Sequence, residues 1–265
     1  MVVLFSLSNF FVLFLIFACY GSFLNSLAYR IINEKYLFTP RSYCPKCYKV
    51  IKFYDLIPII SWFILKARCR NCKNPISVLY PLIEVLSGVV FTLLLMLVDS
   101  RYWISYFLLF SALIIIIRTD LETMLISSYT TLFFIPIGFI LSYFNLLNIS
   151  LYQSILGAIC GYLFLFFIDK IFYYFKKQHG MGEGDFEILS LIGAFSGLSG
   201  AWFSLLFGSL TGSLIFLIIF LKEYFSSNFN ISKFKSYKIP FGPFLALGSI
   251  IYILIQNYLD RLFFL

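Results

Sequence analysis

Long apolar runs, each about the length needed to cross a bilayer, follow one another along most of the chain. A transmembrane helix needs roughly 20 consecutive apolar residues, and helices satisfy their own backbone hydrogen bonds in lipid. The sixth run is short and glycine-rich, so it could pair with the seventh as a re-entrant unit. We therefore predict an all-α polytopic membrane protein with eight spans, at residues 5–28, 79–98, 102–118, 127–147, 151–174, 186–201, 203–221 and 241–260.

Composition and charge agree with this pattern and orient it. The chain is 61% hydrophobic and only 12% charged, whereas a soluble domain carries about 25% charged residues. When the spans alternate sides, 18 of the 20 Lys and Arg residues fall on one side, and only Arg101 and Arg261 fall on the other. The positive-inside rule makes that side cytoplasmic and puts both termini outside. Topology thus explains most of the net charge of +8, and we expect a lipid bilayer but no nucleic acid as a partner.

The first apolar run and the segment after it define the predicted domain organisation. No basic residue precedes the first run and no small-residue cleavage site follows it, so residues 1–29 read as a retained helix. Residues 30–78 form a basic cytoplasmic insert with four of the six cysteines. Such a short insert needs a covalent or metal staple to be stable. Residues 79–265 are predicted to form the membrane core.

The cysteines of the insert occur as two C-x-x-C pairs. Two such turns can complete a tetrahedral shell of four thiolates around zinc. Two disulfides or free thiols are the alternative, which a cytoplasmic location disfavours. A closed shell leaves no position for a substrate, so the expected Zn²⁺ is structural. The predicted metal ligands are Cys44, Cys47, Cys69 and Cys72.

Two aspartates stand out by position. Asp120 in "TDLETMLI" is expected in a tight turn at the membrane surface, and Asp185 ends the "GEGD" of "GMGEGDFEIL". Two predicted spans separate them, so both aspartates share one face whichever way the protein is oriented. Each aspartate could instead simply cap a helix N-terminus. As a pair they could share a proton, with one carboxyl group ionised and the other neutral.

A proton-sharing pair of carboxyl groups can hydrolyse a peptide bond. The ionised group takes a proton from water, and the neutral group polarises the carbonyl and protonates the leaving amine. Gly182 and Gly184 carry no side chain, which would let a substrate backbone approach Asp185 closely. We therefore predict catalytic roles for Asp120 and Asp185 and a substrate-access role for the two glycines.

Taken in order, five blocks of the sequence resemble the bacterial prepilin peptidases, also called type IV leader peptidases, over nearly the whole chain. The blocks are "GSFLNSLAYR" (21–30), the cysteine segment 44–88, "TDLETMLI" (119–126), "GMGEGDFEIL" (180–189) and "IPFGPFLALG" (239–248). The resemblance implies a GxGD-type aspartic endopeptidase of the bacterial inner membrane, with Asp120 and Asp185 as the catalytic pair. Its substrates would be precursors of type IV pilins or of the pseudopilins of type II secretion, cleaved on the cytoplasmic face.

The resemblance also implies a second activity. Many members of the family methylate the new N-terminal residue with S-adenosylmethionine, and that activity is associated with the cysteine segment. No residues that bind this cofactor are predicted. The chain departs from the family pattern at three places: Ile126, Ser127 and Ser128 stand where "LPD" is frequent, Glu187 where lysine is frequent, and Ala67 where glycine is usual.

Three other readings remain open at this point. The chain could be a peptidase without methyltransferase activity. Paired acids within the membrane could also serve a proton-coupled transporter, which would give the four-cysteine insert no role. A non-enzymatic assembly protein of a secretion machine could use the insert for docking.

Overall fold

The structure is a computed structural model that describes residues 7–33, 41–225 and 239–263. Helices dominate these ranges, which contain no β-strand beyond two isolated antiparallel bridges. The predicted all-α class is therefore confirmed. The helices are α1 (Leu7–Ile32), α2 (Ile60–Ile64), α3 (Leu79–Leu97), α4 (Trp103–Thr123), α5 (Ser128–Thr131), α6 (Phe134–Tyr143), α7 (Leu151–Lys176), α8 (Glu183–Tyr224) and α9 (Gly242–Phe263), with 3-10 turns at Phe53–Leu56 and Ser100–Tyr102.

Six helical segments within the described ranges are long and apolar enough to cross a membrane. The region predicted as the span 127–147 forms a shorter apolar run, Ser128–Tyr143, so the count of eight crossings stays a prediction. The six segments are Asn9–Ile32, Leu79–Leu97, Ser100–Thr123, Leu151–Lys176, Glu183–Tyr224 and Gly242–Asp260. Residues 5 and 6 of the first predicted span, and residues 226–238 of the segment between the last two, lie outside the described residues.

Helix α8 contains the break that the sequence predicted between its sixth and seventh spans, but at a different residue. Gly197 has φ 69° and ψ −171°, which interrupts the helix five residues before the predicted gap at residue 202. Glycine adopts a positive φ without the steric cost that a Cβ adds. The helix therefore breaks at the residue that can adopt a positive φ, and not at the middle of the apolar run.

The chain divides into two compact units, residues 1–123 with 257–265, and residues 124–256. In the first unit, α1 packs along α3 and α4. Aromatic rings fill this contact, with the Phe91 ring centroid 4.7 Å from that of Phe107 and 5.3 Å from that of Tyr20. Most residues of α4 are buried. The predicted division at residues 29/30 and 78/79 stays a prediction.

In the second unit, α7 and α8 meet almost backbone to backbone. A Cβ added to Gly157 would lie 2.5 Å from the carbonyl oxygen of Gly193, and one added to Gly161 would lie 2.7 Å from that of Leu189. Small residues at such contacts are typical of membrane helix packing. The buried hydroxyl of Ser154 also donates to a backbone carbonyl of α8. These contacts fix the two helices whose connection carries the GEGD motif.

Candidate active site

Asp120 lies in the last turn of α4 rather than in the expected turn between helices. The helix continues to Thr123 and is followed by Met124 in a left-handed conformation, with φ 55°. The Asp120 side chain is only 4% exposed. Because N-caps precede the first turn of a helix, this position excludes the capping role that the sequence left open.

A polar network fixes the turn that carries Asp120. The guanidinium of the fully buried Arg118 donates to the Oδ1 atom of Asn25 in α1 at 3.1 Å and to Glu122 at 2.5 Å. It also lies over the Tyr80 ring of α3, 5.2 Å from the centroid. Residues two apart on a helix point to different sides, so the network holds the turn without occupying the Asp120 face.

Asp185 lies in the first turn of α8, where Gly182 is the N-cap. The side chain is 8% exposed, and the backbone N–H of Asp185 donates to the Gly182 carbonyl at 3.1 Å. Asp185 is therefore the third residue of the helix and not its cap. Asp120 belongs to the first compact unit and Asp185 to the second, and each carboxyl group is buried within the end of an apolar helix.

Asp169, in α7, clamps the loop that leads to the GEGD motif. Its Oδ1 atom accepts from the backbone N–H groups of Gly180 at 2.8 Å and Met181 at 3.3 Å. Its Oδ2 atom lies 2.7 Å from Nδ1 of His179, whose ring stacks on that of Tyr173. The single histidine is thus part of a loop clamp just before Asp185.

Replacing Asp169 with alanine should reduce the peptidase activity expected from the sequence resemblance about tenfold to a hundredfold. The change removes three hydrogen bonds worth roughly 1 kcal/mol each and releases the loop before Asp185. Initial cleavage rates with purified protein in detergent and a substrate of the class that the resemblance implies measure the effect. Asparagine at the same position keeps one acceptor oxygen and should restore part of the rate. Equal rates for wild type and the alanine variant would contradict the positioning role.

The two glycines of the motif have different surroundings. A Cβ added to Gly184 would lie 2.8 Å from both Cβ and Cδ1 of Ile126. A Cβ added to Gly182 would have the Asp185 carboxylate as its nearest neighbour, at 3.9 Å. Close packing therefore requires glycine at position 184, whereas position 182 has open space. Substrate access through these glycines remains a prediction, and Gly182 is the position that can test it.

Alanine should destabilise the protein at position 184 but not at position 182. Gly184→Ala forces Ile126 to move and should lower the free energy of unfolding by about 1–3 kcal/mol, as overpacked sites do. Gly182→Ala should leave it within about 0.5 kcal/mol, because the backbone φ of −77° suits alanine. Thermal unfolding in detergent measures both. If Gly182 provides substrate access, its variant should lose cleavage while keeping stability; full cleavage would remove that role.

Glu187, which departs from the family pattern, contacts another departure. Its carboxylate accepts from the hydroxyl of Ser128 at 3.2 Å and from the hydroxyl of Thr131. These bonds tie α5 to the first turns of α8. The two changes from the usual pattern therefore meet as a hydrogen-bonded pair, with Glu187 two residues after Asp185 in α8.

The four cysteines of the insert come together. Their sulfur atoms all lie within 4.8 Å of one another, and Cys44 Sγ lies 3.8 Å from Cys72 Sγ. A tetrahedron with metal–sulfur bonds of about 2.3 Å has edges close to this distance. A disulfide would need a separation of about 2 Å, so these thiols are unbonded. The predicted cluster is confirmed, and its geometry suits a four-thiolate metal ion.

Both C-x-x-C turns have the same backbone. Each is closed by an isolated bridge, Tyr43 with Val50 and Arg68 with Pro75. The residue after the second cysteine has a positive φ in both turns, 56° at Tyr48 and 59° at Lys73. The backbone explains why the family usually has glycine before the third cysteine. Ala67, which stands there in this chain, has φ 55°, a conformation that favours glycine.

The thiols of the second turn have displaced pKa values. The pKa of Cys69 is lowered to about 7, chiefly because the backbone N–H of Cys72 hydrogen-bonds to its sulfur. For Cys72 the amide of Asn74 lowers the pKa, but desolvation and the neighbouring thiols outweigh it and raise the pKa to about 11. Metal ions bind the thiolate form, so a bound cation would replace the protons that these sulfurs share.

The sequence analysis assigned no site role to three ionisable residues at membrane depth. Asp169 binds His179 and the loop, and the neighbouring Lys170 lies over the Phe166 ring. Arg118 pairs with Glu122, and Glu84 accepts a hydrogen bond from the Ile59 backbone N–H. Charged residues in apolar spans are costly and usually functional, and that signal alone could have marked all three.

These features define an all-helical membrane protein with two buried aspartates at helix ends and a four-thiol cluster in a basic insert. Comparison with protein families identifies which family of membrane proteins this is. Residues 15–98 match the bacterial peptidase A24 N-terminal domain, and residues 107–218 match the type IV leader peptidase family. The chain belongs to the type IV leader peptidase family.

Relatives at about one-third identity cover most of the chain. The prepilin leader peptidase/N-methyltransferase of Aeromonas salmonicida (strain A449) is 33% identical over 234 residues, which cover 86% of this chain and 76% of the relative. The proteins of the same name from Aeromonas hydrophila and Legionella pneumophila are 34% and 33% identical, with 85% and 81% of this chain covered and 75% and 72% of those relatives. No solved structure matches the chain.

Proposed function

We propose that the protein is a membrane-embedded aspartic endopeptidase that removes the leader of type IV prepilin-like precursors and then methylates the new N-terminus. The observation that carries the proposal is family membership over both matched regions, which include the cysteine insert and both aspartates. The names of the relatives support both activities. The substrates proposed are pilin or pseudopilin precursors.

The proposed cleavage uses Asp120 and Asp185 as a proton-sharing pair. The N-terminus of a helix favours negative charge and its C-terminus disfavours it. Asp185 lies in a first turn and Asp120 in a last turn, so we assign the base to Asp185 and the acid to Asp120. Asp185 takes a proton from water, the hydroxide adds to the peptide carbonyl, and the C–N bond breaks as Asp120 protonates the leaving amine.

The proposed topology puts both aspartates at the cytoplasmic face of the bacterial inner membrane. It has eight crossings, counting Ser128–Tyr143 as one and the two parts of α8 separately at Gly197. The concentration of Lys and Arg on one side supports the orientation. Cleavage there would leave the hydrophobic helix of the pilin in the bilayer.

The insert is proposed to bind one structural Zn²⁺ through Cys44, Cys47, Cys69 and Cys72. The sulfur geometry and the absence of disulfides among the described cysteines support this assignment. Four thiolates fill a tetrahedral shell, so the ion would stabilise the insert and take no part in catalysis.

In the proposed second reaction, S-adenosylmethionine supplies the methyl group. The N-terminal amine of the cleaved pilin accepts the methyl group and loses a proton.

Mass analysis of a pilin N-terminus tests the whole proposal at once. A precursor is co-expressed with or without this protein, and its N-terminal peptide is weighed. We expect the leader to be missing and the new N-terminus to carry one methyl group only when the protein is present. Cleavage without methylation would mean that the protein is a peptidase without methyltransferase activity. An unchanged precursor would reject the peptidase function and favour a transport or assembly role.

A further inference from the structure

The second compact unit contains an apolar groove to which the proposed cleavage assigns no role. The groove has a volume of about 370 Å³ and lies between α7 and the two parts of α8, residues 183–196 and 198–224, which meet at Gly197. Within the part of the chain that the structure describes, no charged residue lines it. Its wall includes Gly161, Phe164, Leu189, Ala201, Trp202 and Leu205.

The two parts of α8 run in opposite directions beside α7. The first part is antiparallel to α7, because it passes the contact with Gly161 before the contact with Gly157. After Gly197, which also contacts Gly157, the chain advances along α7 again, and the ring of Trp202 lies 4.7 Å from the ring of Phe164. The two parts thus form a hairpin whose tip, at Gly197, closes one end of the groove.

The other end of the groove opens toward Asp185. The wall residue farthest from Gly197 is Leu189 on the first part of α8 and Leu205 on the second. Each is eight residues from Gly197, or about 12 Å at about 1.5 Å per helical residue. Asp185 lies one turn beyond Leu189, and residues four apart share a face of a helix. The groove therefore begins about 6 Å from the level of Asp185 and extends away from it for about two helical turns.

The indole N–H of Trp202 is an unused hydrogen-bond donor in this groove. Trp62 and Trp103 each donate their indole N–H to a backbone carbonyl. Trp202 is 42% exposed, and its N–H has no hydrogen-bond partner among the residues that the structure describes, although it lies in a segment apolar enough to cross a membrane. Lipid tails offer no acceptor, whereas every residue of a peptide carries a carbonyl oxygen. The donor therefore favours a peptide over an acyl chain as the occupant.

We propose that this groove binds the beginning of the apolar helix that follows the scissile bond of the substrate, with Trp202 donating to an oxygen of that segment. The assignment rests on the proposed peptidase function. A chain that continues from Asp185 toward Gly197 enters the open end after about two extended residues. The rings of Phe164 and Trp202 then pack against its apolar side chains. Such contacts away from the reacting bond hold the substrate in place for cleavage.

Steady-state cleavage by the purified full-length protein in detergent tests the assignment with two substrates. One is the full-length prepilin precursor, and the other is a peptide with the leader and the scissile bond that ends before the apolar helix. Trp202→Phe removes the indole donor but keeps a ring against Phe164. It should raise the ratio of the precursor KM to the peptide KM about threefold to tenfold, as the loss of one hydrogen bond within a membrane implies. The kcat for the precursor should stay within about twofold.

A second variant fills the groove. Leu163 is a half-exposed wall residue, and Leu163→Trp places a larger ring there. It should raise the same KM ratio about tenfold or more, because the ring takes the space of the substrate side chains. The matched controls are Trp103→Phe, which removes an indole donor in the first unit, and Leu206→Trp, which enlarges an exposed leucine outside the groove wall. Both should keep the wild-type KM ratio.

Photo-crosslinking identifies the occupant directly. The photoreactive residue p-benzoylphenylalanine replaces Phe164 in an Asp120→Asn background, which keeps a co-expressed precursor uncleaved. It should attach to the first two turns of the precursor's apolar helix. The same residue in place of Phe167, which is exposed on α7 outside the groove wall, should attach only to lipid.

Several outcomes would overturn the assignment. Position 164 could label only lipid or a second copy of this chain, or both groove variants could keep the wild-type KM ratio. Equal increases of KM for the two substrates would make Trp202 and Leu163 merely structural. If wild type cleaves the precursor and the short peptide with the same KM, the apolar helix has no binding role, and the peptidase function remains. Cleavage of neither substrate would instead refute the proposed peptidase function, and the groove assignment with it.

Discussion

Changing either Asp120 or Asp185 to asparagine should reduce leader cleavage by about a thousandfold. Asparagine keeps the size of the side chain but can neither accept a proton from water nor deliver one to the leaving amine. General acid or base catalysis contributes about 10²- to 10⁴-fold to a rate. Both residues are buried at helix ends. The measurement is the fraction of a co-expressed prepilin that loses its leader, followed over time.

Asp99→Asn provides the matched control for these variants. Asp99 is exposed, caps the turn Ser100–Tyr102 by accepting from the Arg101 amide, and can keep that bond as asparagine. It is also predicted to lie on the outer face. This variant should cleave like wild type, and all three should reach the membrane at equal levels. Normal cleavage by either of the other two variants would refute the aspartate pair.

Changing Cys44 and Cys72 together to serine should abolish zinc binding and unfold the insert. The two sulfurs lie 3.8 Å apart, one from each C-x-x-C turn, so the double variant removes half of the shell. Structural zinc contributes about 10–16 kcal/mol in small domains, and an insert this short has little core to replace it. Zinc per chain, measured by mass spectrometry of the metal, should fall from about one to near zero.

Cys160→Ser makes the same chemical change away from the cluster, in α7. It should keep full zinc content and full activity. Proteolysis of the insert should accelerate only in the double variant, and methylation should be lost with it. Wild-type protein that is active, reduced and free of zinc would show that the four thiols serve another purpose.

The sequence predicted well those features that depend on spacing along the chain. Two C-x-x-C pairs bring four thiols together whatever the surrounding fold does, because each turn points two sulfurs at one centre. Apolar runs likewise predict helices, since a backbone in lipid has few alternatives. The family resemblance rested on ordered motifs, and the family comparisons confirm it.

The sequence predicted poorly those features that depend on contacts between distant residues. Asp120 was expected outside its helix because the apolar run ends at Arg118, yet the helix continues to Thr123, and a salt bridge from Arg118 to Glu122 spans the extra turn. The partners of Glu187 lie more than 50 residues away. The Ile59 amide reaches Glu84 only because a strained turn directs it there. The spacing of apolar and polar residues along the sequence gives no signal of such contacts.

The close contact between Gly157 and Gly193 restricts how the loop before Asp185 can move. With no side chains between them, α7 and α8 cannot slide or rotate against each other without steric overlap of their backbones. The connection that ends at Asp185 is therefore held at both ends by one rigid helical hairpin, and Asp169 staples its middle. A substrate that needs more room must displace this hairpin as a single body. Glycine-rich sequences are usually flexible, but the close packing of α7 against α8 makes this one a rigid support for Asp185, the proposed base.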